Sequence, residues 1–390
     1  MYASLLSRRS AFCTIVLLWP ALLVPDGGMV GRAADVEAQL AAIAAAGPNG
    51  QGAQAASYAA DMLSKCDAAI LPRLLEAMDG DNPVAANFLR QAYERIVARE
   101  LARANPTFNL EALRAYVVDT RHNGKARRLA LDLVARLDPE FAPRFLAQAL
   151  DDPEFRFQAV ALALERAAAS REAGNRQQER QELLVAFQHA RAAEQVLRAS
   201  RELAALGEEA DPVRHLGFIV DWYVVGPFAA PGYSGFDTAF GPEQQPFAAE
   251  VVFADVDGSR RTWQHHRCTD PLGLVNLVEV FGPLREQVAY AYAEVESEQQ
   301  QAAELRCGAD DNLTVWLNGE QVFARRQWLN GIRLDRFIVP VQLVAGRNQL
   351  LVKVCQGPQH RDPEVPNNWS MQVRLCTPDG LGLKLKTIMP

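Results

Sequence analysis

The chain has 390 residues, of which 49% are apolar and 22% charged, enough for two domains with separate cores and too apolar for a wholly disordered polymer. Its formal net charge is -7. A surface that is acidic overall lacks the basic footprint that holds nucleic acid, so that class of partner is excluded.

In chain order the first feature is a basic and then apolar leader. Arg8-Arg9 precede the apolar run Ala11–Val24, and Gly31-Arg32-Ala33 offers a small-x-small cleavage site before Ala34. The run is about 14 residues and contains Pro20, whereas a membrane-spanning helix needs roughly 20. Residues 1–33 are therefore expected to be a signal peptide, and the mature protein to be exported, periplasmic or extracellular, with no stable membrane span.

Residues 34–215 carry a helical rhythm. Ala, Leu, Arg and Glu dominate, and apolar side chains return every three or four positions, as in Leu129, Leu131, Leu133 and Val134 beside the outward Arg128. The stretch also repeats itself. Leu74–Ile96 aligns with Phe145–Ala167, and Ala112–Leu137 lies between them in the same phase. Each unit is a helix ending near an aspartate (Asp79, Asp119, Asp151), a polar turn, and a second helix with small alanines in its stripe. Pro83 and Pro153 are expected at the start of that second helix, where the missing N–H costs nothing. Such units cannot bury their apolar faces alone and must stack. The pattern over 68–206 resembles HEAT repeats, which implies an α-solenoid with a surface for a protein partner; an irregular helical bundle is the alternative. The polar stretch Gly174–Gln181 reads as a solvated helix end.

From residue 216 to 390 the rhythm changes to period 2. Ile219–Phe228, Val288–Val295, Leu313–Leu317, Gln321–Ala324, Phe337–Val344, Gln349–Val354, Ser370–Leu375 and Leu383–Lys386 read as strands separated by Gly, Pro, Asn and Asp. Val288–Val295 is apolar on both faces, as a strand covered on two sides must be. Asn318-Gly319 between alternating apolar runs predicts a tight hairpin. The expected fold is an antiparallel β-sandwich or jelly roll.

Three strings, Trp222–Phe228 (WYVVGPF), Ala309–Phe323 (ADDNLTVWLNGEQVF) and Leu343–Gln356 (LVAGRNQLLVKVCQ), resemble the galactose-binding-like sandwich domains of secreted, planctomycete-type bacterial proteins. The resemblance covers about 218–378. It implies a jelly roll related to PA14 domains, in which a paired aspartate before the central hairpin holds Ca²⁺ that contacts sugar hydroxyls. Asp310-Asp311 takes that position here, making both residues candidate metal and ligand contacts, although Asn312 follows where the family often has Gly. The alternative is that the pair caps a strand end and hydrogen-bonds its own turn.

Trp222 and Trp316 lie within strand patterns and are expected in the core. Trp328, in the loop Arg325–Arg333, is the tryptophan expected to be exposed. Arg325 and Arg326 beside it form a candidate contact for an acidic sugar or carboxylate, with a solvated loop as the alternative. Once the leader is gone, five cysteines remain, four of them in the strand-rich half; disulfides and buried free thiols both stand open.

Chemistry-bearing motifs are sparse. The chain has no G-x-S-x-G, H-E-x-x-H or phosphate-loop string. His265 and His266 are adjacent in a strand, so their rings point to opposite faces. The sequence thus reads as an exported binding protein without a catalytic site of its own and with no required cofactor: helical repeats for protein contacts, and a sandwich for carbohydrate or another extracellular polymer. Two other readings stand beside it, a purely structural assembly scaffold and an accessory domain or subunit of a carbohydrate-active enzyme.

Overall fold

A computed structural model describes residues 28–328, 331–357, 362 and 368–388, with side chains from Asp35 onward. The apolar leader Ala11–Val24 lies outside the described residues. Among those described, no helix is long and apolar enough to cross a membrane. The chain forms two compact units, Met1–Asp138 and Pro139–Pro390.

The first unit is helical. It comprises α1 (Gly28–Ala44), α2 (Ala53–Ser64), α3 (Leu71–Ala77), α4 (Pro83–Leu101), α5 (Leu110–Val118) and α6 (Gly124–Leu137). Asparagines start three of these helices: Asn82, Asn109 and Asn123 each accept from backbone N–H groups of the first turn they precede, which satisfies otherwise orphaned donors. Pro83 is the first helical residue of α4, as its fixed φ favours. Small residues let the helices approach, with Ala56, Ala59, Ala60, Ala92, Ala126 and Ala130 all buried. The repeat aspartate Asp79 is the hub of the unit's turns. It accepts from the Tyr116 hydroxyl at 2.9 Å, from the Asn123 N–H at 2.7 Å, and pairs with His122 Nδ1 at 2.7 Å.

The second unit begins with helices and ends with sheets. Its helices are α7 (Phe141–Leu146), α8 (Arg156–Glu172), α9 (Arg176–His189), α10 (Ala193–Ala205) and α11 (Pro212–Leu216), followed further on by the short α12 (Gly241–Gln244) and α13 (Leu277–Phe281). Pro153 falls in the turn ahead of α8, three residues before the helix starts, and not in its first turn as the repeat alignment suggests. Here too the repeat aspartate meets a later histidine, Asp151 with His189 Nδ1 at 2.9 Å.

The strands are β1 (Asp221–Ala229), β2 (Val252–Ala254), β3 (Arg260–Thr262), β4 (Gln264–Arg267), β5 (Val275–Asn276), β6 (Gln287–Ser297), β7 (Gln301–Ala309), β8 (Asn312–Leu317), β9 (Glu320–Arg325), β10 (Phe337–Leu343), β11 (Gly346–Cys355), β12 (Ser370–Cys376) and β13 (Lys386–Ile388). All recorded pairings are antiparallel. The larger sheet runs β4-β1-β6-β11-β8-β9 with β13 on β6, and the smaller runs β10-β7-β12-β5. One apolar cluster joins them: Ala289, Ala291, Ala293, Val315, Leu350 and Val352 from the larger sheet meet Leu305, Cys307, Met371 and Val373 from the smaller. The last strand is Lys386–Ile388, later than the run Leu383–Lys386 expected from the pattern. Asn318 and Gly319 both have positive φ, 53° and 84°, as the predicted hairpin turn requires.

Alternation along β6 explains why it is apolar on both faces. Its alanines and Val295 point into the core between the sheets, while Val288, Tyr290 and Tyr292 point the other way. That second face is covered by the long excursion after β1, whose Phe240, Phe247, Phe253 and Trp263 pack on the tyrosines. The helices join the sheets through a separate cluster in which Leu216 and Phe218 pack with Val160, Leu183, Val196 and Leu203. Arg374 of β12, nearly sealed from solvent, donates to the Leu216 carbonyl at 2.9 Å and pairs with Asp335. Gly217 permits this join: a Cβ there would fall 2.3 Å from the Leu375 carbonyl oxygen.

The five cysteines among the described residues are free thiols, Cys66, Cys268, Cys307, Cys355 and Cys376. Of the two readings left open by the sequence, the unbridged one holds. Burial pushes the thiols of Cys307 and Cys355 up to about 12, which makes them poor nucleophiles.

Candidate functional site

The residues singled out from the sequence occupy one end of the larger sheet. Asp310 and Asp311 link β7 to β8, and both are buried, 6% and 5% exposed. Asp311 has a φ of 63°, the left-handed turn conformation that Asp adopts more readily than most residues. Its Oδ2 accepts from the Gly357 N–H at 2.5 Å. Gly357 is confined by that contact: a Cβ there would meet Asp311 Oδ2 at 2.4 Å and Trp328 Cε3 at 2.6 Å. Gln327 ties the loop together, donating from Nε2 to the carbonyls of Asp311 (2.8 Å) and Ala309 (3.2 Å) and from its backbone N–H to Asn312 Oδ1 (2.6 Å).

The structure therefore brings Asp311 and Trp328 together around Gly357 and leaves the arginines outside. Trp328 is half-buried, with its ring edge-on to Tyr233 at 5.9 Å. Arg326 is exposed but engaged, its guanidinium on the carboxylate of Asp237 and 4.9 Å over the Phe236 ring. Arg325 ends β9 on the surface, opposite Leu313.

This end does not fit the Ca²⁺ site that the family resemblance implies. Ca²⁺ takes roughly six to eight oxygens. Asn312 Oδ1, the Asp311 and Ala309 carbonyls and Asp311 Oδ2 already accept protein N–H groups. Among the described residues, no group of three or more His, Cys, Asp or Glu is placed to hold a metal ion. Burial, with the Asp311 carboxylate as a lesser cause, raises the Asp310 carboxyl to about 6. The pair forms a buried polar turn, and the Asp311 carboxylate holds a segment 46 residues further along the chain at Gly357.

A second place is better formed. The outer face of the larger sheet carries a concavity of about 380 Å³, lined by Glu243, Gln244, Gln245 and Phe247 of the excursion, Trp263, Tyr292 of β6, Trp316 of β8, Asn318 and Gly319 of the hairpin, and Gln349 and Leu351 of β11. Strand register builds its floor. Tyr292 lies opposite Leu351, and Leu351 opposite Trp316, so the three form one row across neighbouring strands on one face. Phe247 stacks on Tyr292 with ring centres 4.0 Å apart and planes 3° from parallel, and Trp263 closes the wall 5.2 Å from Phe247. Its volume falls in the usual range for small-ligand sites, roughly 300–1,000 Å³.

Two buried ionic networks fix the groove. At the floor, the Tyr292 hydroxyl donates to Glu294 at 2.5 Å, Gln349 Nε2 donates to the same oxygen at 3.2 Å, and Arg347 pairs with the other oxygen at 3.1 Å. Burial and Glu294 together raise the Tyr292 hydroxyl well above its usual range, so it stays protonated. At the wall, Lys353 reaches up from β11 with its ammonium sealed from solvent, donating to Glu243 and to the Thr238 carbonyl, each at 2.7 Å. Tyr290 donates to the same Glu243 oxygen.

Trp316 is the groove residue that the sequence reading misplaced. It is half-buried on the outer face and not in the core, whereas Trp222 is fully buried as expected. The signal was present in LTVWL: Leu313, Val315 and Leu317 take the inner phase, which turns Thr314 and Trp316 outward. His265 and His266, expected on opposite faces of a strand, are both in β4, with His265 exposed near Asp221 and His266 half-buried. No protein-family model matches this chain, and no curated protein matches it in sequence.

Proposed function

We propose that this chain is an exported carbohydrate-binding protein, in which a galactose-binding-like jelly roll takes a glycan in the groove over Tyr292, Leu351 and Trp316 and HEAT-like helical repeats engage a protein partner. The observation that carries the reading is the groove's composition. A row of aromatic and aliphatic side chains forms the floor, and amide side chains form the rim. A pyranose ring has an apolar face of C–H groups and an edge of hydroxyls, and it needs both kinds of surface at once. A purely structural contact would not call for glutamines around a half-buried indole. The Asp310-Asp311 turn is assigned no part in ligand contact.

The reading is tested by electrophoresis of the protein in native gels containing soluble polysaccharides. At least one polymer should retard it, and Trp316→Ala should weaken retardation about tenfold, the scale of one lost aromatic stacking contact. Free migration through every polymer would overturn the proposal and favour the scaffold reading.

A further inference from the structure

We infer that the groove selects uncharged, hydroxyl-rich glycans and rejects acidic ones; the inference rests on the carbohydrate reading above and names its ligand class. Selectivity follows from the hydrogen-bonding atoms and charges that the protein leaves over in the groove. Gln349 uses its Nε2 on Glu294, and Gln244 uses its Nε2 on the Ala239 carbonyl at 3.3 Å. Each therefore leaves its carbonyl oxygen and one amide N–H over. The Tyr292 hydroxyl donates its hydrogen bond to Glu294, so its oxygen is left as an acceptor. The Asn318 amide is held in place by donating to Asn348 and accepting from the Gln349 N–H.

The charges point the same way. Glu243 is the one charged side chain among the described residues lining the groove, and it is ion-paired with the buried Lys353. The nearest guanidinium in the floor network, Arg347, is taken by Glu294. A sugar carboxylate or sulfate entering here would meet neutral amides and a carboxylate, with no cationic side chain among the described residues lining the groove to receive it. It would lose its hydration without replacement. A hydroxyl donates to these acceptors and can also accept. That matters because the remaining amide N–H groups of Gln244 and Gln349 need an acceptor. An ammonium sugar could not receive those N–H groups, and it would find Glu243 already paired with Lys353.

The test uses native gels loaded with the full-length mature protein and four neutral polymers (a β-glucan, a mannan, a xylan and a galactan). Polygalacturonate, alginate and a sulfated galactan serve as acidic probes, and chitosan as a cationic one. The expected result is retardation by at least one neutral polymer, at least tenfold stronger than by any charged probe, and lost in Trp316→Ala. Gln349→Ala should weaken it severalfold, with the native fold retained by circular dichroism. Stronger retardation by an acidic polymer or by chitosan, lost in Trp316→Ala, would overturn the selectivity and leave the groove standing. Retardation by a neutral polymer that survives Trp316→Ala would overturn both the groove and the selectivity.

Discussion

Asp310 carries an acid whose environment opposes its charge. Its carboxyl is raised to about 6 from an ordinary 3.8, first by burial and then by Asp311 beside it. A group that holds its proton more tightly in the folded state contributes its full stability below about pH 4, and loses it as pH rises through 6. Above that range the folded protein keeps a buried, poorly solvated carboxylate. Asp310→Asn should therefore raise stability at pH 7.5 by about 3 kcal/mol, from a shift of about two units at roughly 1.4 kcal/mol each. The gain should vanish near pH 4, and neither Ca²⁺ nor a chelator should move the melting temperature. Thermal melts at the two pH values decide it; a variant that melts lower at pH 7.5 would show that the carboxylate is held by a favourable partner.

At the scale of elements, the groove depends on a short helix with little to hold it. α12 has four residues and no side-chain cap at its start, yet it sets one wall. Its anchor is Glu243, which meets an ammonium that β11 delivers through the sheet's outer face. The two partners are not equivalent. Lys353 is 2% exposed, while Glu243 is 16% exposed and keeps the Tyr290 hydroxyl if the lysine is lost. Removing the acid leaves an uncompensated buried cation, a change that typically costs about 3–5 kcal/mol, whereas replacing the lysine with an apolar chain of similar length removes the charge that needed compensation. Glu243→Gln should thus destabilise more than Lys353→Met, by about 1–3 kcal/mol. Urea unfolding of the two variants measures the order, and equal losses would mean that the ion pair does not anchor the wall.

For the whole molecule, the place where secondary structure changes and the place where packing divides are different. Helix gives way to strand between Leu216 and Asp221, but the compact units separate at Asp138 and Pro139. α8 to α11 belong with the sheets because Leu216 and Phe218 lie in the helical cluster while Phe218 and Ile219 also bond to β12. Arg191 and Arg156 add ion pairs to Asp379, each at 3.2 Å. A fragment of residues 139–390 should therefore unfold cooperatively by itself. One of residues 216–390 should bind a hydrophobic dye and melt without a sharp transition, since Leu216 and Phe218 lose their cover. Sharp, equal transitions in both fragments would show that the sheets do not need these helices.

What the residues declared locally was the succession of helix and strand, the Asn318-Gly319 turn and the doubly apolar β6. Each is set by side chains within a few positions of one another, through 3.6-residue or two-residue periodicity and turn stereochemistry. The groove was decided elsewhere. Its floor is a row of residues from three strands whose register depends on pairings dozens of residues apart, and its wall comes from an excursion with no periodic pattern. The orientation of Trp316 could be read from its neighbours, but what faces it could not. Likewise, the Asp310-Asp311 pair looked like a metal site in one dimension, and only the folded chain showed Gln327 and Gly357 arriving to take its oxygens. Hydrogen-bonding capacity is consumed by whatever comes close in space, and closeness between distant segments is a property of the tertiary structure alone.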